Sequence, residues 1–118
     1  AMTAPTAPTD AAPQQARVDA LDDALDDAPL DLLAIAAHRD DAELTCGGTL
    51  VNAVRRGRRV GILDLTQGET GTRGSAELRA AEADAAARVL GVHVRENLAL
   101  PDAAIENTPA TRAALVQV

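Results

Sequence analysis

The sequence predicts an α/β fold, a Rossmann-like parallel sheet with helices on both faces. Three observations favour it: an apolar run at residues 30–37, an amphipathic helical pattern directly after it, and the recurrence of this strand and helix order along the chain. A mostly continuous apolar run is typical of a parallel strand that is covered on both sides. Short loops between alternating strands and helices imply right-handed crossovers in such a sheet.

Composition narrows the class of protein. The chain has 118 residues, enough for one small domain, and it contains no aromatic residue although 47% of it is hydrophobic. Aromatic platforms for stacking bases are therefore missing, and 18 acidic against 11 basic residues give a net charge of -7, which argues against a nucleic-acid partner. The single cysteine, Cys46, excludes an internal disulfide or a multi-cysteine zinc cluster and fits a reducing compartment.

No apolar run approaches the roughly 20 residues that span a bilayer, and no basic-then-apolar signal opens the chain. We therefore expect a cytoplasmic protein without a membrane partner. Residues 1–29 predict a disordered tail, rich in Pro and Ala and then acidic, with the unit A-L-D-D occurring twice. We interpret that repeat as a solvated linker, because it lacks the glycine turn and bidentate glutamate of a calcium loop.

Residues 30–118 are expected to form the N-terminal part of a longer domain, because the chain stops inside an apparent helix. A sheet edge exposed by the truncation could pair with the same edge of a second chain, so a homo-oligomer is a possible partner arrangement. The elements after the first strand are predicted as a helix ending near Gly57, a strand at 60–65, a glycine loop at 66–75, a helix at 77–90 closed by Gly91, a strand at 92–96, and a last helix capped by Thr108 with Pro109 at its first position.

Polar and ionisable residues directly follow the first strand. His38, Asp40 and Asp41 follow it directly, and ligands of open α/β sheets bind beyond the carboxyl ends of the strands. The glycine loop at 66–75 should lie at the same edge. A dinucleotide site is disfavoured here, because the turn lacks G-x-G-x-x-G and its aspartates would repel a pyrophosphate.

Two interpretations of this turn stay open from spacing alone. In one, Asp40 or Asp41 only caps the following helix and His38 fills a polar pocket. In the other, His38 and Asp41 supply nitrogen and oxygen ligands to a divalent metal such as Zn²⁺, and Asp40 is free to act as a base. A catalytic zinc takes three protein ligands, and we interpret the other histidine, His93, as an exposed strand residue rather than the missing one.

Several longer motifs resemble a known family. The segments A-H-R-D-D-A-E-L-T-C-G-G-T-L, V-G-I-L-D-L-T-Q-G-E-T-G-T-R-G-S-A-E-L-R-A-A-E and R-E-N-L-A-L-P-D occur in the order seen in the N-terminal half of LmbE-like, or PIG-L, zinc deacetylases. Within that family the sequence is most similar to the bacillithiol-biosynthesis deacetylases, which act on N-acetylglucosaminyl malate. The resemblance covers about residues 32–118.

The resemblance implies a function and a set of roles. His38 and Asp41 would be zinc ligands and Asp40 the general base on the zinc-bound water, with zinc stabilising the tetrahedral oxyanion. Arg79 would contact the acetamido sugar of a small amino-sugar substrate, and Asp102 would line the sugar pocket. The reaction would be hydrolysis of the N-acetyl group of an N-acetylglucosamine conjugate.

The sequence departs from the family at two places. Arg39 stands where the family has proline, and it could either contact substrate or point to solvent. The family's third zinc ligand comes from an H-P-D-H-like motif that would lie beyond residue 118, so the chain alone is expected to be inactive and to bind zinc poorly. The alternative is a non-catalytic α/β module, or pseudoenzyme, that binds a sugar or a partner.

Overall fold

The computed structural model describes residues 28–118, and the predicted tail at 1–29 lies almost wholly outside the described residues. Strands and helices alternate along this part of the chain. In order they are β1 (Leu32–Ala36), α1 (Asp41–Arg55), β2 (Val60–Thr66), α2 (Ala76–Leu90), β3 (Val94–Leu100) and α3 (Pro109–Val116).

The three strands form one parallel sheet in the order β1, β2, β3. Leu32 pairs with Val60 across the first ladder and Gly61 pairs with Val94 across the second. The central strand β2 is buried along almost its whole length, as its apolar sequence V-G-I-L-D-L-T requires. The predicted parallel α/β fold is thus confirmed.

The core lies between α1 and the sheet. Ala42, Leu50, Val60 and Ile62 form its fully buried centre, and alternate residues of β1 pack against it. All of these side chains are aliphatic, because the chain has no aromatic residue. Between the core-facing positions of β1, Leu33 and Ile35 are 41% and 50% exposed, so that strand is covered on one face and open on the other within the described residues.

Local signals place the helix ends. The Ser75 hydroxyl accepts a hydrogen bond from Leu78 N at the start of α2, and Gly91 ends that helix with φ of 75°. Such a left-handed conformation favours glycine because no Cβ obstructs it. At α3 the Thr108 hydroxyl accepts from Thr111 N, which confirms the predicted cap. Within α1 the backbone leaves helical geometry at Cys46, immediately before a pair of glycines.

Strand β3 differs from its prediction. The sequence predicts it near residues 92–96, and it instead runs over Val94–Leu100. A register shift opposite the end of β2, together with φ of 52° at Ala99, lets Leu100 pair with Thr66. Such an irregularity depends on the partner strand and leaves little local sequence signal. No helix in residues 28–118 is long and apolar enough to cross a membrane.

Candidate active site

The ends of the three parallel strands meet at one edge of the sheet. His38 lies just beyond β1, the glycine loop at 67–75 follows β2, and Asp102 lies just beyond β3. Together they line an open cavity of about 1200 Å³, to which Asp40, Asp41 and Arg79 also contribute. The predicted convergence of His38 and the glycine loop is therefore observed, at the edge where ligands bind in this class of fold.

The imidazole of His38 lies between two carboxylates. Its Nε2 is 2.8 Å from Asp102 Oδ1, and its Nδ1 is 3.3 Å from Asp41 Oδ2. The hydrogen bond to Asp102, reinforced by the charges of both aspartates, raises the pKa of His38 above its ordinary value, although partial burial opposes the shift. With Asp102 ionised, the neutral ring carries its proton on Nε2 and turns the Nδ1 lone pair toward Asp41.

Asp102 is a buried carboxylate with every acceptor position in use. Oδ1 accepts from His38 Nε2 and from Ala103 N, while Oδ2 accepts from the N–H and the hydroxyl of Thr70. These bonds, first the one from the Thr70 hydroxyl and then the one from His38, lower the pKa of Asp102 to about 2. Its backbone N–H in turn donates to Glu69. The carboxylate is therefore ionised and fixed in direction.

The two adjacent aspartates after His38 behave differently from each other. Asp40 is the N-cap residue of α1 by position, but its side chain makes no capping hydrogen bond. Asp41 lies in the first turn, and its Oδ2 accepts from His38 N at 3.0 Å. The open interpretation in which one of these carboxylates caps the helix is not supported, because Asp40 makes no capping hydrogen bond and Asp41 accepts from His38 N instead. The Asp40 carboxylate is left exposed at the cavity wall.

The Arg79 side chain, which comes from α2, hydrogen-bonds the backbone of the glycine loop. Its Nε donates to Arg73 O at 3.1 Å, and the same guanidinium donates to Gly68 O. A Cβ at Gly71 would come within 2.7 Å of the Arg79 guanidinium carbon, so a larger residue there would displace the guanidinium from this position. Arg79 thus lies at the cavity wall with its donors directed to the loop backbone.

Three other side chains bear on the predictions. Arg39 Nη1 donates to Ala76 O at 3.0 Å, so it bridges the first turn to the start of α2 instead of pointing into solvent. His93 Nδ1 accepts from Val60 N at the beginning of β2, which is the edge of the sheet opposite to His38. Thr70 was not identified from the sequence, because its partner Asp102 is 32 residues away and no local pattern marks the pair.

His38 and Asp41 fit a zinc ion as a pair of ligands. Zinc bonds of about 2.0–2.1 Å in a tetrahedral arrangement place two ligand atoms about 3.3 Å apart. The observed separation of His38 Nδ1 and Asp41 Oδ2 is 3.3 Å. Residues 28–118 contain no group of three or more His, Cys, Asp or Glu side chains that could hold a metal, whereas a catalytic zinc normally takes three protein ligands.

Fold and site together define a parallel α/β protein with a histidine held between carboxylates at the strand ends. The sequence profile of the family PIG-L: GlcNAc-PI de-N-acetylase matches residues 33–118. The chain belongs to this family, which confirms the resemblance noted in the sequence.

Individual relatives agree with this assignment. The uncharacterized deacetylase YaiS of Escherichia coli (strain K12) is 37% identical over 71 residues, which are 60% of this chain and 38% of YaiS. The crystal structure of the conserved protein TT1542 from Thermus thermophilus has a TM-score of 0.72 at 48% identity, covering 75% of this chain and 40% of that one.

N,N'-diacetylchitobiose deacetylase from Pyrococcus horikoshii has a TM-score of 0.68 at 24% identity, covering 91% of this chain and 45% of its own, and shows the shared fold. The chain spans less than half of the length of each of these three proteins.

Proposed function

We propose that this chain is part of a zinc-dependent deacetylase that hydrolyses the N-acetyl group of an N-acetylglucosamine conjugate, such as N-acetylglucosaminyl malate. One observation carries the proposal: in a member of the PIG-L family, His38 Nδ1 and Asp41 Oδ2 lie 3.3 Å apart beside a cavity of about 1200 Å³. An amino sugar with a small aglycone fits within such a volume. The third zinc ligand is expected outside residues 28–118.

His38 and Asp41 would hold the metal. A bound Zn²⁺ supplies Lewis-acid polarisation of the amide carbonyl and makes the attacking water more acidic. Asp102 fixes the ring: by accepting from Nε2 at 2.8 Å it leaves the lone pair on Nδ1, the nitrogen that faces Asp41. A carboxylate behind a metal-binding histidine is a recurrent arrangement that sets the tautomer and direction of the ring.

Asp40 is the general base of the proposal. Its carboxylate is exposed at the cavity and is not engaged in capping α1, so it can take the proton from the attacking water and pass it to the leaving amine. Asp41, by contrast, already accepts from His38 N. The two neighbouring carboxylates therefore divide the roles of base and ligand.

Arg79 and Asp102 are the proposed substrate-side residues, both at the cavity wall. Arg79 also shapes the wall, because its guanidinium holds the glycine loop through Gly68 and Arg73. The four acceptor positions of Asp102 are already filled, so a sugar hydroxyl that binds it would have to displace or share one of these donors. Its bond to His38 and a contact with substrate would then be made by the same carboxylate.

The test uses the complete protein that contains this chain. Purified with zinc, it should release acetate from N-acetylglucosaminyl malate, lose this activity to a chelator, and regain it when zinc is restored. Asp40→Asn should retain zinc and lower kcat by about 10²-fold to 10⁴-fold, the usual effect of losing a general base.

Asp84→Asn is the matched control, because Asp84 is an exposed aspartate on α2 and should leave kcat unchanged. Loss of zinc in Asp40→Asn, with unchanged turnover per bound metal, would make Asp40 a ligand instead. Tight binding of the sugar without acetate release by the zinc-loaded protein would favour a non-catalytic binding module.

A further inference from the structure

A buried ion cluster behind the site involves residues that the proposed reaction does not use. Arg95, the second residue of β3, has a side chain that is 6% exposed, and its partner Asp64 on β2 is 2% exposed. Glu43 from the first turn of α1 completes the cluster. A buried charge is costly unless it is paired and hydrogen-bonded, so the contacts of Arg95 need a full account.

Every N–H group of Arg95 has an acceptor. Nε and Nη2 bind the two oxygens of Asp64 at 2.7 and 3.0 Å, which forms a bidentate pair. Nη1 donates to Glu43 Oε1 and to Ala83 O on α2. Nη2 also donates to the carbonyl of Arg39. The five donors of one guanidinium are thus distributed over β2, both neighbouring helices and the turn after β1.

The contact with the Arg39 carbonyl links this cluster to the site. That carbonyl belongs to the peptide bond between Arg39 and Asp40. Arg95 therefore holds the backbone immediately before the proposed base, and through Glu43 it also holds α1 two residues after Asp41. The segment that carries both proposed catalytic-site aspartates is fixed at its two ends by one side chain.

We propose that Arg95 is a positioning residue, which orients the turn from His38 to Asp41 without touching the substrate. The proposal rests on the proposed function, since it concerns the same site. Lysine would not replace it: an ammonium has three donors and no planar fork, and it cannot bind both oxygens of Asp64 and also reach the Arg39 carbonyl.

If Arg95 only stabilised the fold, a variant that regains stability would also regain zinc affinity and kcat. Buried ion pairs can often be replaced by apolar side chains of similar size with little loss of stability, whereas removal of one partner is strongly destabilising. The single variant Arg95→Met leaves Asp64 and Glu43 buried without a cation. The double variant Asp64→Leu/Arg95→Met removes the bidentate pair, but it still leaves Glu43 without its cation and the Arg39 carbonyl without its donor.

The experiment compares these variants in the complete protein, with Arg88→Met as the control because Arg88 is exposed in the last turn of α2. Unfolding in urea, zinc affinity, kcat, and amide hydrogen exchange of the metal-free protein are measured. Arg95→Met should unfold at lower urea. The double variant should recover part of the lost urea midpoint, because Glu43 stays unpaired, while zinc affinity and kcat stay about 10-fold to 100-fold below wild type.

Hydrogen exchange at Asp40 and Asp41 should also accelerate in the double variant. A double variant with wild-type exchange there, and with zinc affinity and kcat within about twofold of the Arg88→Met control, would overturn the proposal. Should the double variant not fold, Arg95→Lys decides in the same way: faster exchange at Asp40 and Asp41 supports the proposal, and unchanged exchange overturns it.

Failure of the proposed function is recognised separately. It would appear as a wild-type protein that neither binds zinc nor releases acetate. The exchange measurement on the metal-free protein would still decide whether Arg95 positions the turn.

Discussion

Replacement of Asp102 by asparagine tests the centre of the proposed site. The carboxylate accepts from four donors, two at each oxygen. Asparagine keeps one acceptor oxygen and presents an NH₂ group in place of the other. If the remaining oxygen faces Thr70, the amide NH₂ faces His38 Nε2, and the ring must move its proton to Nδ1 to accept from it.

That change of tautomer removes the lone pair that His38 directs toward Asp41. We therefore expect Asp102→Asn to weaken zinc binding by about 10-fold to 100-fold, the usual range for losing the hydrogen-bond partner behind a metal ligand. If the amide instead turns its oxygen to His38, the two Thr70 donors face the NH₂ group and the loop after β2 is destabilised.

Zinc affinity is measured by competition with a coloured chelator, and the tautomer of His38 by ¹⁵N NMR of the metal-free protein. The matched control is Glu69→Gln, because Glu69 accepts from Asp102 N and does not contact His38. Its zinc affinity should stay within about twofold of wild type. Wild-type zinc affinity in Asp102→Asn, with the proton of His38 still on Nε2, would refute the role given to Asp102.

Three further outcomes concern stability. Leu50 is 1% exposed, so Leu50→Ala should lower the free energy of unfolding in urea by about 2–5 kcal/mol, whereas Leu44→Ala at a 79% exposed position should change it by less than about 0.5 kcal/mol. A Cβ at Gly61 would lie 2.6 and 2.8 Å from two neighbouring side chains, so Gly61→Ala should be destabilising by about 1–3 kcal/mol; Gly48, with nothing within 4 Å, is the control and Gly48→Ala should not be. Because the pKa of Asp102 is lowered to about 2, its carboxylate stabilises the fold above the unfolded-state pKa of about 3.9. The stability difference between wild type and Asp102→Asn should therefore shrink as pH falls from about 4 to 2, and a difference that is constant over this range would contradict the ionised Asp102.

Much of the fold was predictable because its signals are local. Apolar runs placed the strands, and the 3.6-residue pattern with Gly91 and Thr108 at helix ends placed the helices. The length of β3 was not predictable in this way, since its last residues pair only through a register shift against Thr66. The sequence also left open that Asp40 or Asp41 caps α1, and the structure shows no capping hydrogen bond from Asp40, while Asp41 accepts from His38 N.

The sequence by itself determined which residues follow the first strand, and the spacing of His38 and Asp41 brings an imidazole and a carboxylate together within one turn. Only the tertiary structure decided what holds them. Asp102 reaches His38 across 64 residues of sequence, and Arg95 reaches the Arg39 carbonyl across 56. Such contacts arise because parallel strands bring the loops at their carboxyl ends to one edge, and no local pattern encodes which of those side chains will meet.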